Sequence, residues 1–180
     1  MPGSYFIKKD TPVKVKRFDK IGREVEIRLI RPDDTTRLRA FYEGLSDVTI
    51  HSFFRGSPEI EVFAHKEKVL IECHSDPESR LITVAVYYNE IIGICMVVLC
   101  SLPDHEYEIG NIVSDENQGL GIASLLMEEV ISYATKHWLT GTIIAETTLW
   151  NYKANRLLKK FNFVEKESDR GEITWAYKVH

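Results

Sequence analysis

The stretch that decides the fold reads Val113-Ser114-Asp115-Glu116-Asn117-Gln118-Gly119-Leu120-Gly121-Ile122-Ala123. Before it, Glu106 to Val113 has the composition of a strand. After it, Gly121 to His137 places Ala123, Leu126, Met127, Val130, Ile131 and Ala134 on one face of a helix. Gly119 and Gly121 let the turn bend so that successive N–H groups converge. The start of a helix adds unpaired N–H groups and partial positive charge. Strand, glycine turn and helix together suit a phosphate-bearing ligand. The small Ala123 lets a ligand or a strand approach closely. Two phosphate motifs are excluded. Ser124 stands where GxGxxG needs its third glycine, and the P-loop ending in Gly-Lys-Ser/Thr is absent.

Working outward, Glu24 to Ile30 alternates polar and apolar residues and predicts a strand. Pro32 breaks it, and Asp33 or Asp34 can cap the helix carrying Leu38, Phe41, Tyr42 and Leu45. Ser46-Asp47 opens a second helical piece that ends near Phe53-Phe54, and Ser57-Pro58 opens a third that runs to about Cys73. Leu81 to Tyr88 and Ile91 to Leu99 predict strands joined at Asn89-Glu90, and Pro103-Asp104 makes a turn. Downstream, Gly141 to Thr148 predicts a strand, Asn151 to Phe161 a helix, and Phe163 to Lys166 and Ile173 to Val179 two closing strands. The order is an antiparallel meander followed by one β-α-β unit, so the expected fold is a mixed α/β sheet with the ligand at that unit.

The chain has 180 residues, which favours one domain, expected over residues 24–180 behind an N-terminal arm or edge strand at 1–23. A net charge of −4 argues against a dedicated nucleic-acid binder. Lys8, Lys9, Lys14, Lys16, Arg17, Lys20 and Arg23 nevertheless crowd the start, as a solvated arm or an anion- or partner-binding surface. Cys73, Cys95 and Cys100 are odd in number and form no CxxC, so neither disulfides nor zinc is expected. Cys95 and Cys100 are expected to be buried and inert. No apolar stretch approaches a membrane span and the N-terminus has no signal-peptide core, so the expectation is a cytoplasmic protein with no membrane partner.

Two motifs at fixed spacing now carry a resemblance. Gln118 to Ala123 resembles the Q/R-x-x-G-x-G/A signature of the GNAT N-acetyltransferases, in the strand–turn–helix setting of that family. About thirty residues further on, Asn151-Tyr152-Lys153-Ala154-Asn155-Arg156-Leu157 with Phe161-Asn162-Phe163 resembles the family's N-x-x-A-x-x-L…G-F, with Asn162 in place of glycine. Asparagine tolerates the left-handed conformation that glycine supplies there. Leu45-Ser46 to Phe53-Phe54 resembles a segment of the Pat-like protein lysine acetyltransferases within that family.

The resemblance implies a GNAT fold, a mostly antiparallel sheet splayed where acetyl-CoA binds. Asn111, Ile112 and Val113 would meet pantetheine through their main chain. The pyrophosphate would lie in the cradle of Gln118, Gly119, Leu120, Gly121, Ile122, Ala123 and Ser124, and Asn151 would meet the coenzyme where strand and helix diverge. No metal is implied. The acceptor would be an amine, on a protein lysine in the Pat-like reading and on a small molecule otherwise. A catalytically silent acyl-CoA-binding regulatory module stands as the alternative function, and a homodimer is a possible assembly.

Acetyl transfer to lysine needs a base, since deprotonating an amine of pKa about 10.4 at neutral pH costs roughly 4–5 kcal/mol. Glu106 and Glu108 share a strand face. Glu108, ten residues before Gln118, matches the spacing of the Pat-like catalytic glutamate, so it is the first candidate, with Glu106 in reserve. Glu146, five residues before Asn151, is the third. Many GNAT enzymes carry a general-acid tyrosine seven residues after the asparagine; here Leu158 occupies that place and cannot donate a proton. The six histidines show no metal spacing, and only His105 neighbours the base strand. The tryptophans Trp138, Trp150 and Trp175 read as core or edge aromatics, and Phe53 and Phe54 as packing that could also line an acceptor mouth.

Overall fold

The computed structural model describes residues 14–54, 80–101, 105–137 and 141–179. The helix expected from Ser57 to Cys73 and the turn at Pro103-Asp104 lie outside these residues. The described elements are β1 (Lys14–Phe18), β2 (Glu24–Leu29), α1 (Thr35–Glu43), α2 (Asp47–Phe54), β3 (Arg80–Tyr87), β4 (Glu90–Ser101), β5 (Glu106–Val113), α3 (Ile122–His137), β6 (Gly141–Thr148), α4 (Tyr152–Lys160), β7 (Val164–Asp169) and β8 (Glu172–Val179). They build one eight-stranded sheet in the order β1-β2-β3-β4-β5-β6-β8-β7.

Every neighbouring pair is antiparallel except β5 with β6, because only there does a helix, α3, return the chain to the same end. That parallel pairing covers Glu106↔Thr142, Tyr107↔Ile143 and Glu108↔Ile144 and then stops. On its other edge β5 stays paired with β4 as far as Val113↔Gly93. Beyond Glu108 and Ile144 the two strands therefore diverge, and the sheet is splayed.

Each sheet face has its own core. The larger joins Val25, Ile27, Leu81, Cys95, Tyr107, Ile109, Val113, Ile143 and Trp175 to the apolar stripe of α3, from Ile122 to Ala134, and to Leu158 of α4. The smaller joins Ile82, Val84, Ile94 and Ile112 to Leu38, Phe41 and Leu45 around α1. The pleat divides β5 between them. Tyr107, Ile109 and Val113 face α3, whereas Ile112, and with it Gly110, Glu108 and Glu106, faces α1 and α2.

Several local expectations change. The β3–β4 turn is Tyr88-Asn89 rather than Asn89-Glu90, with φ of 45° and 68°, the two positive values that match the twist of a tight hairpin. Asp34 does not cap α1 forward. Its carboxylate turns back to the Arg31 N–H at 2.8 Å and to the Arg28 guanidinium at 2.6 and 2.7 Å. Cys95 is buried as expected, and its burial pushes the thiol pKa up. Cys100, however, is exposed, since it sits where the β4 register shifts between Leu99 and Ser101. Asn162 does adopt the left-handed conformation, with φ of 62°.

Candidate functional site

The site is built around the end of β5. At the start of the strand, the His105 carbonyl accepts from Thr142 N–H on the β6 side at 3.0 Å. At its end, Ser114 N–H donates to Ile92 on the β4 side at 3.1 Å. Alternation between these points turns the main-chain groups of Ile109, Asn111 and Val113 into the splay, where β6 no longer meets them. Ile112 differs from its neighbours: its main chain points to β4 and its side chain lies in the smaller core. Asn111 adds a side-chain feature. Its Nδ2 donates to the Ala123 carbonyl at 3.0 Å, and its buried Oδ1 has no hydrogen-bond partner among the described residues. A buried acceptor without a donor is costly, on the order of 1–3 kcal/mol. A donor such as an amide N–H would satisfy it.

The glycine turn follows. Asp115 to Asn117 form one 3-10 turn, and Gly119 and Gly121 take φ of 78° and 91°, which residues with a side chain rarely adopt. The N–H groups of Gly119, Leu120, Gly121, Ile122 and Ala123 have no acceptor among the described residues. Ser124 N–H is instead bonded to the Gly121 carbonyl at 2.9 Å, so it belongs to the helix rather than to the open cradle. Among the described residues nothing approaches within 4 Å of where a Gly119 Cβ would stand. A diphosphate fits this donor set, and an amide-containing arm fits the β5 edge and Asn111.

Gln118 braces the turn rather than lining it. Its Nε2 donates to Thr49 Oγ1 at 3.0 Å and to the Val113 carbonyl at 3.2 Å, while Lys153 Nζ donates to its Oε1 at 3.0 Å. Asp115 makes a second tie to α2, accepting from Ser46 N–H, Ser46 Oγ and Thr49 Oγ1 at 2.6–2.9 Å. The hydrogen bonds from Ser46 and Thr49 lower its carboxyl pKa. These ties were not readable from spacing, since Thr49 and Asp115 lie 66 residues apart. Asn151 sits at the end of β6 and caps α4, its Oδ1 accepting from Ala154 N–H at 3.2 Å.

The three candidate carboxylates share the face turned to α1 and α2. Glu108 occupies the last paired rung, opposite Ile144, where the sheet opens. It is exposed, and Cys100 Sγ stands 3.9 Å from its Oε2. Burial raises the Cys100 pKa, and the Glu108 charge raises it further. Glu106 is instead engaged by Lys166 at 3.6 Å. Glu146 is exposed on β6, two residues past Ile144 and in the splayed part of the strand. Phe53 of α2 lies over Gly110, whose Cβ would meet its ring at 3.1 Å, so a bulkier residue there would lift α2 from the strand next to Glu108. Leu158 is buried in the larger core. Among the described residues no cluster of His, Cys, Asp or Glu could hold a metal, and no helix is long and apolar enough to cross a membrane.

Known proteins share this fold. A family model described as Acetyltransferase (GNAT) family matches residues 33–163. The GNAT domain of S. lividans PAT superposes with a TM-score of 0.81 at 23% identity, over 92% of this chain and 97% of that one. Ribosomal-protein-S5-alanine acetyltransferase from Vibrio fischeri gives 0.72 at 19%, over 92% and 97%. PaiA N-acetyltransferase from Thermoplasma acidophilum, solved with coenzyme A, gives 0.64 at 14%, over 86% and 98%. At these identities the structures speak for the fold, and the family match speaks for the chemistry.

Proposed function

Because the chain belongs to the GNAT family and is an acetyl-CoA-dependent N-acetyltransferase, we propose that it acetylates lysine side chains of proteins in the cytoplasm, with Glu108 as general base. One observation carries the reading: Glu108 stands on the last β5–β6 rung, at the vertex of the splay, on the face of α1 and α2. Acetyl-CoA supplies the activated thioester. The N–H groups of Gly119 to Ala123 hold its pyrophosphate, and Asn111 and Val113 hold the pantetheine arm in the splay.

The amine enters from the side of α1 and α2. Glu108 takes its proton directly or through one water, a contribution of about 10²–10⁴-fold. The nitrogen then forms its bond to the acetyl carbon as the bond to sulfur breaks. The Val113 N–H points into the splay, where it can stabilise the charge that develops on the carbonyl oxygen. Leu158 offers no acid, and a thiol of pKa about 8.5 is a tolerable leaving group without one. The acceptor class rests on the Leu45 to Phe54 segment.

The test is Glu108→Gln beside Glu106→Gln and Glu146→Gln, with acetyl-CoA turnover on lysate proteins read as new acetyl-lysine. The expected result is a fall of about 10²–10⁴-fold in kcat for Glu108→Gln alone, with coenzyme affinity retained. Full activity of Glu108→Gln overturns the base. Turnover on polyamines or amino sugars with none on proteins overturns the acceptor, and coenzyme binding without any turnover favours a silent binding module.

A further inference from the structure

Four basic side chains are described between Val15 and Arg23, and three of them end on carboxylates. Lys16 meets Glu24 at 2.6 Å, Arg17 meets Glu129 of α3, and Arg23 meets Asp19 at 2.6 Å. The fourth, Lys20, has no acidic partner among the described residues. It sits in the β1–β2 turn, and that turn lies against the glycine turn. Lys20 N–H donates to the Leu120 carbonyl at 2.9 Å. Its side chain runs across Gly121, where a Cβ would stand 3.4 Å from Lys20 Cγ and 3.7 Å from Cε.

The turn is fixed from within and from without. Asp19 Oδ1 accepts from Ile21 N–H and Arg23 N–H at 3.0 and 2.9 Å. Arg23 Nη2 donates to Asn117 Oδ1 at 2.8 Å, and its guanidinium stacks 4.6 Å from the Tyr87 ring centre. The β1–β2 turn thus grips the glycine turn at Asn117 and at Leu120, on either side of Gly119. A Cβ at 121 would meet that stem at ordinary contact distance, and it is the φ of 91° that calls for glycine there.

We infer that Lys20 is a phosphate-binding residue of the acyl-CoA site, closing the cradle from the hairpin side and contacting the coenzyme's diphosphate. The inference rests on the reading of Gly119 to Ala123 as that cradle. The N–H groups there supply partial positive charge but no full charge, and the diphosphate carries more than they neutralise. Lys20 supplies a full charge on an exposed side chain that lies alongside Gly121.

The test measures binding of CoA, and separately of acetyl-pantetheine, which has no phosphate, to the full chain as wild type, Lys20→Gln, Lys20→Arg and Gly119→Ala. Lys20→Gln is expected to weaken CoA about tenfold, with a shallower dependence on salt than wild type. Lys20→Arg keeps most of the affinity, and acetyl-pantetheine binds wild type and both Lys20 variants alike. CoA affinity unchanged in Lys20→Gln overturns the inference, and so does an equal loss for acetyl-pantetheine, which would mean that the turn itself had moved. Gly119→Ala separates the two readings. If it weakens CoA while Lys20→Gln does not, the lysine alone is misassigned; if neither weakens it, the cradle falls as well.

Discussion

Replacing Asp34 by alanine removes a carboxylate that is 0% exposed and accepts four hydrogen bonds. They come from Arg28 Nη1 and Nη2, from the Arg31 N–H and from Arg37 Nη1, at 2.6–2.9 Å. Arg28 is itself only 3% exposed and, among the described residues, would keep one ion-pair partner, the part-exposed Glu26 at 3.1 Å. Leaving a buried charge in that state costs about 3–5 kcal/mol. At roughly 2–4 °C per kcal/mol for a domain of this size, the melting midpoint should fall by roughly 6–20 °C. Replacing both partners, Arg28→Met with Asp34→Leu, should recover most of the loss, because no orphaned charge remains. Thermal unfolding followed by circular dichroism at pH 7 reads all three proteins. An Asp34→Ala midpoint within a degree or two of wild type would refute the reasoning.

The same carboxylate predicts an acid limb. Burial on its own would raise the Asp34 pKa, but the hydrogen bonds from Arg28, the Arg31 N–H and Arg37 outweigh it and lower the pKa from 3.8 to about 2. A folded-state pKa below the unfolded one means that the contribution is complete above about pH 4. It is lost as the pH falls from there through about 2, so the gap between wild type and Asp34→Ala should narrow only in that acid window.

Two further substitutions test local structure. Asn162→Ala should lower stability by about 1 kcal/mol, because φ is 62° there, whereas Asn162→Gly should be nearly neutral. Equal melting of the alanine variant and wild type would show that the left-handed residue carries no strain. Leu158→Tyr restores the family's acid in name only. The side chain is 5% exposed within the larger core, so overpacking should cost about 1–3 kcal/mol and kcat should not rise. A gain in kcat would refute that placement.

What could be read from the sequence was what is local. Gly119 and Gly121 announce a turn by their own backbone freedom, and the stripe from Ile122 to Ala134 announces α3 by its period, whereas the cap that Asn151 places on α4 was not read. Tyr88-Asn89 was displaced by one residue because asparagine suits either position of a tight turn. Lys14 to Phe18 is too short and too basic to declare a strand, and only its pairing with β2 makes it one. Cys100 looked buried because the apolar run of β4 continues up to it, and the register shift before Ser101 turns it out. Glu106 and Glu108 share a strand face and only the spacing to Gln118 ranked Glu108 first; the ion pair of Glu106 with Lys166, from the far end of the chain, was not readable. Lys20 was one of seven basic residues near the start until tertiary contact set it against Gly121.

The three rungs between β5 and β6 have a consequence beyond catalysis. Five strands lie on one side of that seam and three on the other, and pairing across it ends at Glu108 and Ile144. On the proposed seating, a coenzyme in the opening would take the place of the missing rungs and would bind only the folded chain. Mass action then adds about 1.4 kcal/mol of stability for each tenfold excess over Kd. On that seating the most sparsely paired line of the sheet would be braced by the substrate, so the melting midpoint of the protein should rise with coenzyme concentration.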